Sequence, residues 1–189
     1  MQTASIGDQE SQWEQAQQSL QELDEYVCGA VGRDELHEVE HEVFRRLLGL
    51  GRIMMQRFVA ESGTGYTGGR PPCTLSGEPL GYKGIETVDY LTIFGPVPLP
   101  RAAYAHPDGG YVYPMDGQWN RPARKYSYLL LKWLDAVAVE DDYNEAAERL
   151  NEIFDLPLTG DVPQRLGMEV AAHVRPYYQQ REAPAADTE

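Results

Sequence analysis

The chain has 189 residues, of which 42% are apolar, and a formal net charge of −14. These values suit one ordinary hydrophobic core, and no window approaches the roughly 18 to 20 continuous apolar residues of a membrane span. Because the chain has only two cysteines and the first residues lack the basic and apolar regions of a signal peptide, we expect a cytoplasmic protein without a disulfide framework.

The negative charge is concentrated towards the two ends of the chain. Residues 1–62 carry 12 acidic and 5 basic side chains, residues 63–128 carry 5 and 6, and residues 129–189 carry 13 and 5. Nucleic-acid affinity rests on cationic contacts to phosphates and on counterion release. The middle segment is therefore the part best suited to approach a nucleic acid.

Residues 1–61 are expected to form an N-terminal helical arm. Residues 10–27 favour a solvated helix, which Gly29 to Gly32 should end. Residues 33–61 predict the clearest helix, because apolar residues recur at three- and four-residue steps and favour a helical hairpin or coiled-coil-like seam. The apolar positions are Leu36, Val39, Val43, Leu47, Leu50, Met54 and Phe58. A homo-oligomer formed through this helix is one expected assembly.

Residues 62–84 contain seven glycines and three prolines and predict a loop, the best hinge of the chain. Residues 85–118 predict an antiparallel β unit. A first run ends at Phe94, Gly95-Pro96 should turn the chain, and a second run ends at Arg101 to Tyr104. A third short strand is expected from Tyr111 to Tyr113, and Asp116-Gly117 is expected to make a turn.

Residues 119–178 predict a helical region, and residues 179–189 a disordered tail. Ser127 can cap a helix to about Val139 that has almost no polar face and should be buried. Asp142 with Glu145 fits a capping box for a helix to about Phe154, and Asp161 with Gln164 repeats the pattern. The fold class is thus α+β, with a helical arm, a small antiparallel β-hairpin or meander, and a C-terminal helical bundle.

Two helical histidines match the pattern H-E-x-x-H, in which zinc proteases use two ligands and a general base. We interpret His37 to His41 as a charged helix face. Zinc-protease helices carry uncharged residues at the places where this chain has Glu40 and Glu42. With no assignable acidic triad, phosphate-binding loop or nucleophile elbow, we expect no enzyme activity, no metal and no cofactor.

The helices predicted at 143–154 and 162–175 allow a DNA-binding hypothesis. The second would point Gln164 outward with Arg165 at its flank, and Gln and Arg are side chains that contact adenine and guanine in the major groove. A helix-turn-helix is one interpretation. The connection from Asp155 to Gly160 is longer than the usual 3–4-residue turn and the segment is acidic, so an ordinary helical hairpin is favoured on these residues alone.

Four short motifs together resemble the front part of the Kra-type insertion-sequence DDE transposases. The motifs are a helical pattern from His41 to Arg52 that contains Leu50-Gly51-Arg52, a turn at Phe94 to Val97, an R-x-x-Y strand from Arg101 to Tyr104, and a P-x-D element at Pro114 and Asp116. The likeness spans roughly residues 35–178. It implies a helical region of helix-turn-helix type that precedes the catalytic domain.

The chain departs from this family in two respects. Family members usually carry a Cys pair after the R-x-x-Y strand, whereas residues 105–109 contain none. The catalytic DDE domain is also missing, so the resemblance implies a front region truncated before that domain, and transposition activity does not carry over.

Two functions follow as hypotheses. The first is a non-catalytic, transposase-derived domain that recognises the DNA ends of a mobile element. Its expected DNA contacts are Arg101, Arg121, Arg124 and Lys125, helped by Gln164 and Arg165. The alternative is an acidic protein-interaction or regulatory module that occupies a basic groove in place of DNA and binds no DNA itself.

Overall fold

The computed structural model describes residues 6–73, 76–122, 124–138 and 143–158. It confirms the α+β class: N-terminal helices, a three-stranded antiparallel sheet and further helices follow one another along the chain. The elements are α1 (Ile6–Ala30), α2 (Leu36–Ser62), β1 (Gly81–Thr92), β2 (Gly95–Ala105), β3 (Tyr111–Val112), α3 (Pro114–Gln118), α4 (Tyr128–Ala138) and α5 (Tyr143–Phe154). Two compact units divide after Leu131.

The two N-terminal helices form the predicted helical arm. A capping box opens α2, since the Glu38 side chain accepts a hydrogen bond from the Glu35 backbone N–H at 2.9 Å and the Glu35 side chain caps in return. Arginines of α2 cover aromatic rings of α1: the Arg46 and Arg57 guanidinium groups each lie 4.8 Å from a ring centroid, of Tyr26 and Trp13 respectively. These cation–π contacts hold α1 against one side of α2.

The sheet has its tight turn two residues earlier than the sequence analysis expects. Thr92 pairs with Gly95, so Ile93 and Phe94 make the turn and Gly95-Pro96 begins β2. Gly95 has φ +99°, a conformation that L side chains rarely adopt, and this is why a glycine follows the turn. The buried Thr92 hydroxyl donates to the Gly95 carbonyl at 2.9 Å and accepts from the Phe94 N–H at 3.1 Å.

The prolines of β2 are compatible with a strand because of their spacing. Pro96, Pro98 and Pro100 occupy alternate positions, and the N–H of Ala102, two residues further along, points away from β1 to the Thr64 carbonyl at 2.7 Å. Backbone N–H groups alternate between the two edges of a strand, so all three prolines lack a donor on the edge that β1 does not use. They also leave little on that edge for another strand to pair with.

The segment predicted to be a loop with few backbone partners is tied to the sheet instead. β1 begins at Gly81, inside the predicted loop of residues 62–84. Before it, Pro72 and Pro79 form an antiparallel bridge, and the Leu80 N–H donates to the Pro71 carbonyl at 2.9 Å. This segment also supplies two members of a core cluster, which consists of Cys73, Leu80, Ala102 and Tyr104. The glycines and prolines of this segment therefore belong to a chain that is held by backbone hydrogen bonds.

Helix α2 docks on the turn of the hairpin. A Cβ at residue 51 would lie 2.6 Å from Cε1 and 2.9 Å from Cγ of Phe94, so only glycine lets the ring sit this close to the helix. The next residue, Arg52, donates from Nε to the Phe94 carbonyl at 2.7 Å. Below this contact, Val59 packs with Val97 and Leu99. The helix and the hairpin therefore share one core.

Helices α4 and α5 have nearly the bounds that the sequence predicts, but α4 is less buried than expected. Ser127 caps α4 by accepting from the Leu130 N–H at 3.1 Å. The expectation that α4 is buried all round is wrong, since Leu130 and Leu134 are buried whereas Leu129 is 46% and Trp133 47% exposed. The buried pair is spaced by four residues, as on one face of an amphipathic helix.

In the second unit, Trp133 and Phe154 meet edge-on at 6.0 Å between ring centroids, and the Asn151 side chain bonds both backbone groups of Leu158. The helix expected from Asp161 lies outside the described residues, so a helix-turn-helix is not confirmed. No helix in the described part of the chain combines the length and the apolar character needed to cross a membrane.

Two glycines of α2 provide a matched test of the docking contact. We expect Gly51→Ala to lower the free energy of unfolding by about 1–3 kcal/mol, because the new methyl group overlaps the Phe94 ring. At Gly49 an added methyl group would have nothing within 4 Å, so Gly49→Ala should raise stability by up to about 1 kcal/mol through helix propensity. Urea denaturation measures both, and equal stabilisation by the two variants would contradict the docking contact.

Candidate nucleic-acid interface

Two arginines and one aspartate form the centre of the candidate interface. Asp116 lies in the first turn of α3, which Pro114 opens, as proline commonly does at the first helical position. One carboxylate oxygen accepts from Arg101 Nη1 and from Arg121 Nη2, the latter at 2.9 Å, and the other accepts from Arg121 Nε at 3.1 Å. Arg121 is thus held by a bidentate pair.

Arg101 is held on the sheet by more than Asp116. Its guanidinium group stacks on the Tyr113 ring, 3.7 Å from the centroid, and the Tyr113 hydroxyl donates to Glu86 at 2.8 Å. Glu86 is the cross-strand partner of Arg101 in the β1–β2 register. The hydrogen bond to Glu86 raises the pKa of Tyr113 above its ordinary value. Strand β2, helix α3 and the segment after β3 are thereby joined around one cation.

The segment after α3 carries the remaining basic residues and is fixed along the free edge of β1. Arg121 Nη1 donates to the Arg124 carbonyl at 3.2 Å. The Leu91 N–H then donates to the Lys125 carbonyl at 2.6 Å, and the Ser127 N–H returns to the Leu91 carbonyl at 2.9 Å, which makes a parallel bridge at Tyr126. The Lys125 side chain is exposed. We call residues 121–125 the basic segment.

The charges of this cluster stay ionised at neutral pH. Burial raises the pKa of Asp116, but the hydrogen bonds and charges of Arg121 and Arg101 outweigh burial and bring the pKa below its ordinary value. The same contact with Asp116 raises the pKa of Arg121. Asp116 therefore offsets one of the two guanidinium charges, and Glu86 lies across the strands from Arg101.

Four of the six expected DNA-contact residues come together around this cluster, namely Arg101, Arg121, Arg124 and Lys125. The side chains of Arg101 and Arg121 are only 11% and 9% exposed, because Asp116 and the surrounding sheet cover them. These two residues lie at the base of the basic segment, in which Arg124 is half-buried and Lys125 is exposed. Gln164 and Arg165 lie outside the described residues.

Sequence reasoning interpreted Asp116 as a turn residue and missed its role. Its partner Arg101 lies 15 residues earlier in the chain, and a spacing of this length has no periodicity that a sequence could show. The signal that was present is Pro114, which favours a helix start and so puts Asp116 in the first turn, next to the helix N-terminus.

The H-E-x-x-H histidines lie on α2, where the His37 side chain is 74% exposed and its Nδ1 is 3.4 Å from Glu35. Within the described ranges, the one group of three side chains with ligand atoms close enough for a metal is Glu78, His106 and Asp108, all within 4.8 Å. The ring nitrogens of His106 are engaged there by the Ser76 hydroxyl at 3.1 Å and the Asp108 N–H at 3.2 Å. We therefore interpret His106 as a residue that holds the turn together through these two hydrogen bonds.

No protein-family model, curated protein or solved structure matches the chain.

Replacing Asp116 by Asn should expose the energetic role of the carboxylate. We expect Asp116→Asn to lower the free energy of unfolding at pH 7 by about 2 kcal/mol, because two guanidinium groups are deprived of a charged acceptor. The pKa of Asp116 is lower in the folded than in the unfolded chain, so this stabilisation is present above the ordinary aspartate pKa. It should disappear as the pH falls through the folded-state pKa.

Chemical denaturation of both proteins from pH 7 to pH 3 measures this difference. Asp89→Asn is the matched control, since Asp89 is exposed on β1 and its replacement should leave stability nearly unchanged. A pH-independent gap between wild type and Asp116→Asn would contradict the ion-pair account.

Proposed function

We propose that this chain is a transposase-derived DNA-recognition domain and that the basic segment contacts the phosphate backbone. The observation that carries the proposal is the anchoring of Arg124 and Lys125 at the β1 edge, through the Arg121 contact and the Lys125 backbone. A cation whose backbone is already fixed loses less conformational entropy on binding than one on a loose loop. Sequence-independent phosphate contacts of this kind set the position of a protein on a duplex.

The contacts between motifs support the transposase resemblance. Leu50-Gly51-Arg52 meets Phe94-Gly95 through the Phe94 ring and carbonyl, and Arg101 of the R-x-x-Y motif binds Asp116 of the P-x-D motif. Four motifs scattered over 67 residues thus form two contacts in one folded unit. No catalytic role is proposed for any residue of this chain.

A charge-matched titration tests the DNA contact. We expect the double variant Arg124→Ala/Lys125→Ala to weaken binding to a labelled duplex and to flatten its salt dependence, by about 0.9 in slope for each phosphate that is no longer neutralised. The control is Arg70→Ala/Lys83→Ala, which removes two exposed cations from the same unit and leaves the basic segment intact. If the two double variants weaken binding equally, binding depends on the net charge of the protein and not on a specific contact by the basic segment.

In the same assay, Asp116→Asn distinguishes two explanations of binding, the net charge of the protein and the positioning of the basic segment. It makes the protein one unit more positive, so simple charge attraction predicts tighter binding. If Asp116 acts through Arg121 to hold the basic segment, binding weakens instead. Tighter binding by this variant would contradict the positioning role, and the absence of binding by wild type at low salt would contradict the DNA proposal itself.

A second candidate function is favoured by one specific feature, the exposed carboxylates of α1. Glu22, Asp24 and Glu25 are all exposed there, and Gln18 and Gln21 donate to two of these carboxylates at 2.8 Å. An acidic helix of this kind suits a basic groove on another protein. A folded protein that binds no DNA at any salt concentration is the outcome that favours this function.

A further inference from the structure

Helix α2 has three long sides, and two of them are covered. Arg46 and Arg57 face α1, while Gly51, Arg52 and Val59 face the hairpin. The third side carries five apolar residues, of which four are exposed and Val43 is half-buried. We call it the outer stripe, and it consists of Leu36, Val43, Leu47, Met54 and Phe58.

The outer stripe is unusually exposed for side chains of its kind. Leu36 is 85%, Leu47 47%, Met54 45% and Phe58 58% exposed. Their spacing alternates between seven and four residues, an 11-residue repeat of 3.67 residues per turn that stays on one face of a nearly straight helix. From Leu36 to Phe58 the stripe is about 33 Å long. Contiguous apolar surface of this extent marks an interaction site.

The distribution of charge along α2 favours a second copy of the same helix as the partner of this stripe. Residues 35–42 contain four glutamates and no Lys or Arg, whereas residues 43–62 contain four arginines and one glutamate. The helix is therefore acidic in its first part and basic in the rest. A second α2 that runs antiparallel brings each acidic part to the basic part of the other helix and also opposes the two helix dipoles. A parallel arrangement would bring the glutamates together.

The stripe is also self-complementary in an antiparallel arrangement. With Leu47 on the two-fold axis, Leu36 of one copy lies opposite Phe58 of the other, so the two ends are paired by the same contact. Such an isologous interface closes at two subunits. Arg46 and Arg57 lie over rings of α1 and pair within the helix with Glu42 and Glu61, so the complementarity between two copies is one of the net charge of each part of the helix.

We propose that this protein forms a two-fold symmetric dimer in which two α2 helices pack antiparallel through the outer stripe. The outer stripe shares no residue with the basic segment, so the dimer would carry two basic segments. The proposal does not depend on DNA binding, and each can fail without the other.

Sedimentation over a wide range of protein concentration tests the assembly. We expect a monomer–dimer equilibrium that Leu47→Glu weakens by at least about tenfold, because two buried carboxylates would meet at the axis. Leu129→Glu is the matched control, since Leu129 is an equally exposed leucine of α4, at 46% against 47% for Leu47. Met54→Lys serves as a second disrupting variant, and circular dichroism establishes that each variant is folded.

Disulfide trapping tests the direction of the helices. In a Cys28→Ser background, which removes the exposed native thiol, Leu47→Cys should cross-link to itself at the axis. Leu36→Cys and Phe58→Cys should cross-link when mixed but not alone. A wild-type monomer at all concentrations, or a dimer that Leu47→Glu and Met54→Lys leave intact, would overturn the proposal. Self-linking of Leu36→Cys would indicate parallel helices and overturn it as well.

Discussion

The contact between α2 and the hairpin turn is the constraint on which the rest of the first unit depends. A turn residue is normally free to carry its side chain into solvent, but here Phe94 lies against Gly51, and its carbonyl accepts from Arg52. This contact fixes the end of the hairpin relative to the helix, so that Val88, Val97 and Leu99 face Met55 and Val59. The helical arm and the sheet consequently share a core even though about 18 residues of irregular chain separate them.

From that end the hairpin carries two further structural features. Its prolines leave one edge of β2 poor in donors, and the other edge of the sheet is closed by residues 125–127 pairing with Leu91. Between them, Asp116 binds Arg101 from the sheet and Arg121 from the chain that leads to this edge. A single carboxylate thereby connects the strand to the basic segment, and this connection is the physical basis for the proposed DNA contact.

Local patterns in the sequence predicted the elements that local interactions determine. The bounds of α2 followed closely from apolar periodicity, and those of α4 from Ser127 and an apolar run. The turn lies elsewhere than expected because Gly95-Pro96 has the composition of a turn centre, whereas the positive φ of Gly95 belongs to the residue after the turn. Likewise, the glycines of residues 62–84 suggested a free loop, because the sequence does not show that the Thr64 carbonyl accepts from Ala102 of β2 or that the Pro71 carbonyl accepts from Leu80.

The sequence predicted which basic residues lie in the candidate site but not which contacts each of them makes. Arg101, Arg121, Arg124 and Lys125 could be grouped from charge distribution and position along the chain. Their separate roles could not, since the difference between a buried positioning arginine and an exposed lysine arises from Asp116 and from the sheet edge. Each of the four motifs makes a contact in the structure, which is a structural reason for its presence whatever the origin of the chain.

Hydrogen–deuterium exchange with and without a duplex tests the central claim most directly, because it locates the bound surface without any substitution. The account predicts that DNA slows amide exchange in peptides covering residues 119–128, and that peptides from α1 exchange at the same rate in both samples. Protection confined to α1, or no protection anywhere under conditions in which the duplex is bound, would contradict it.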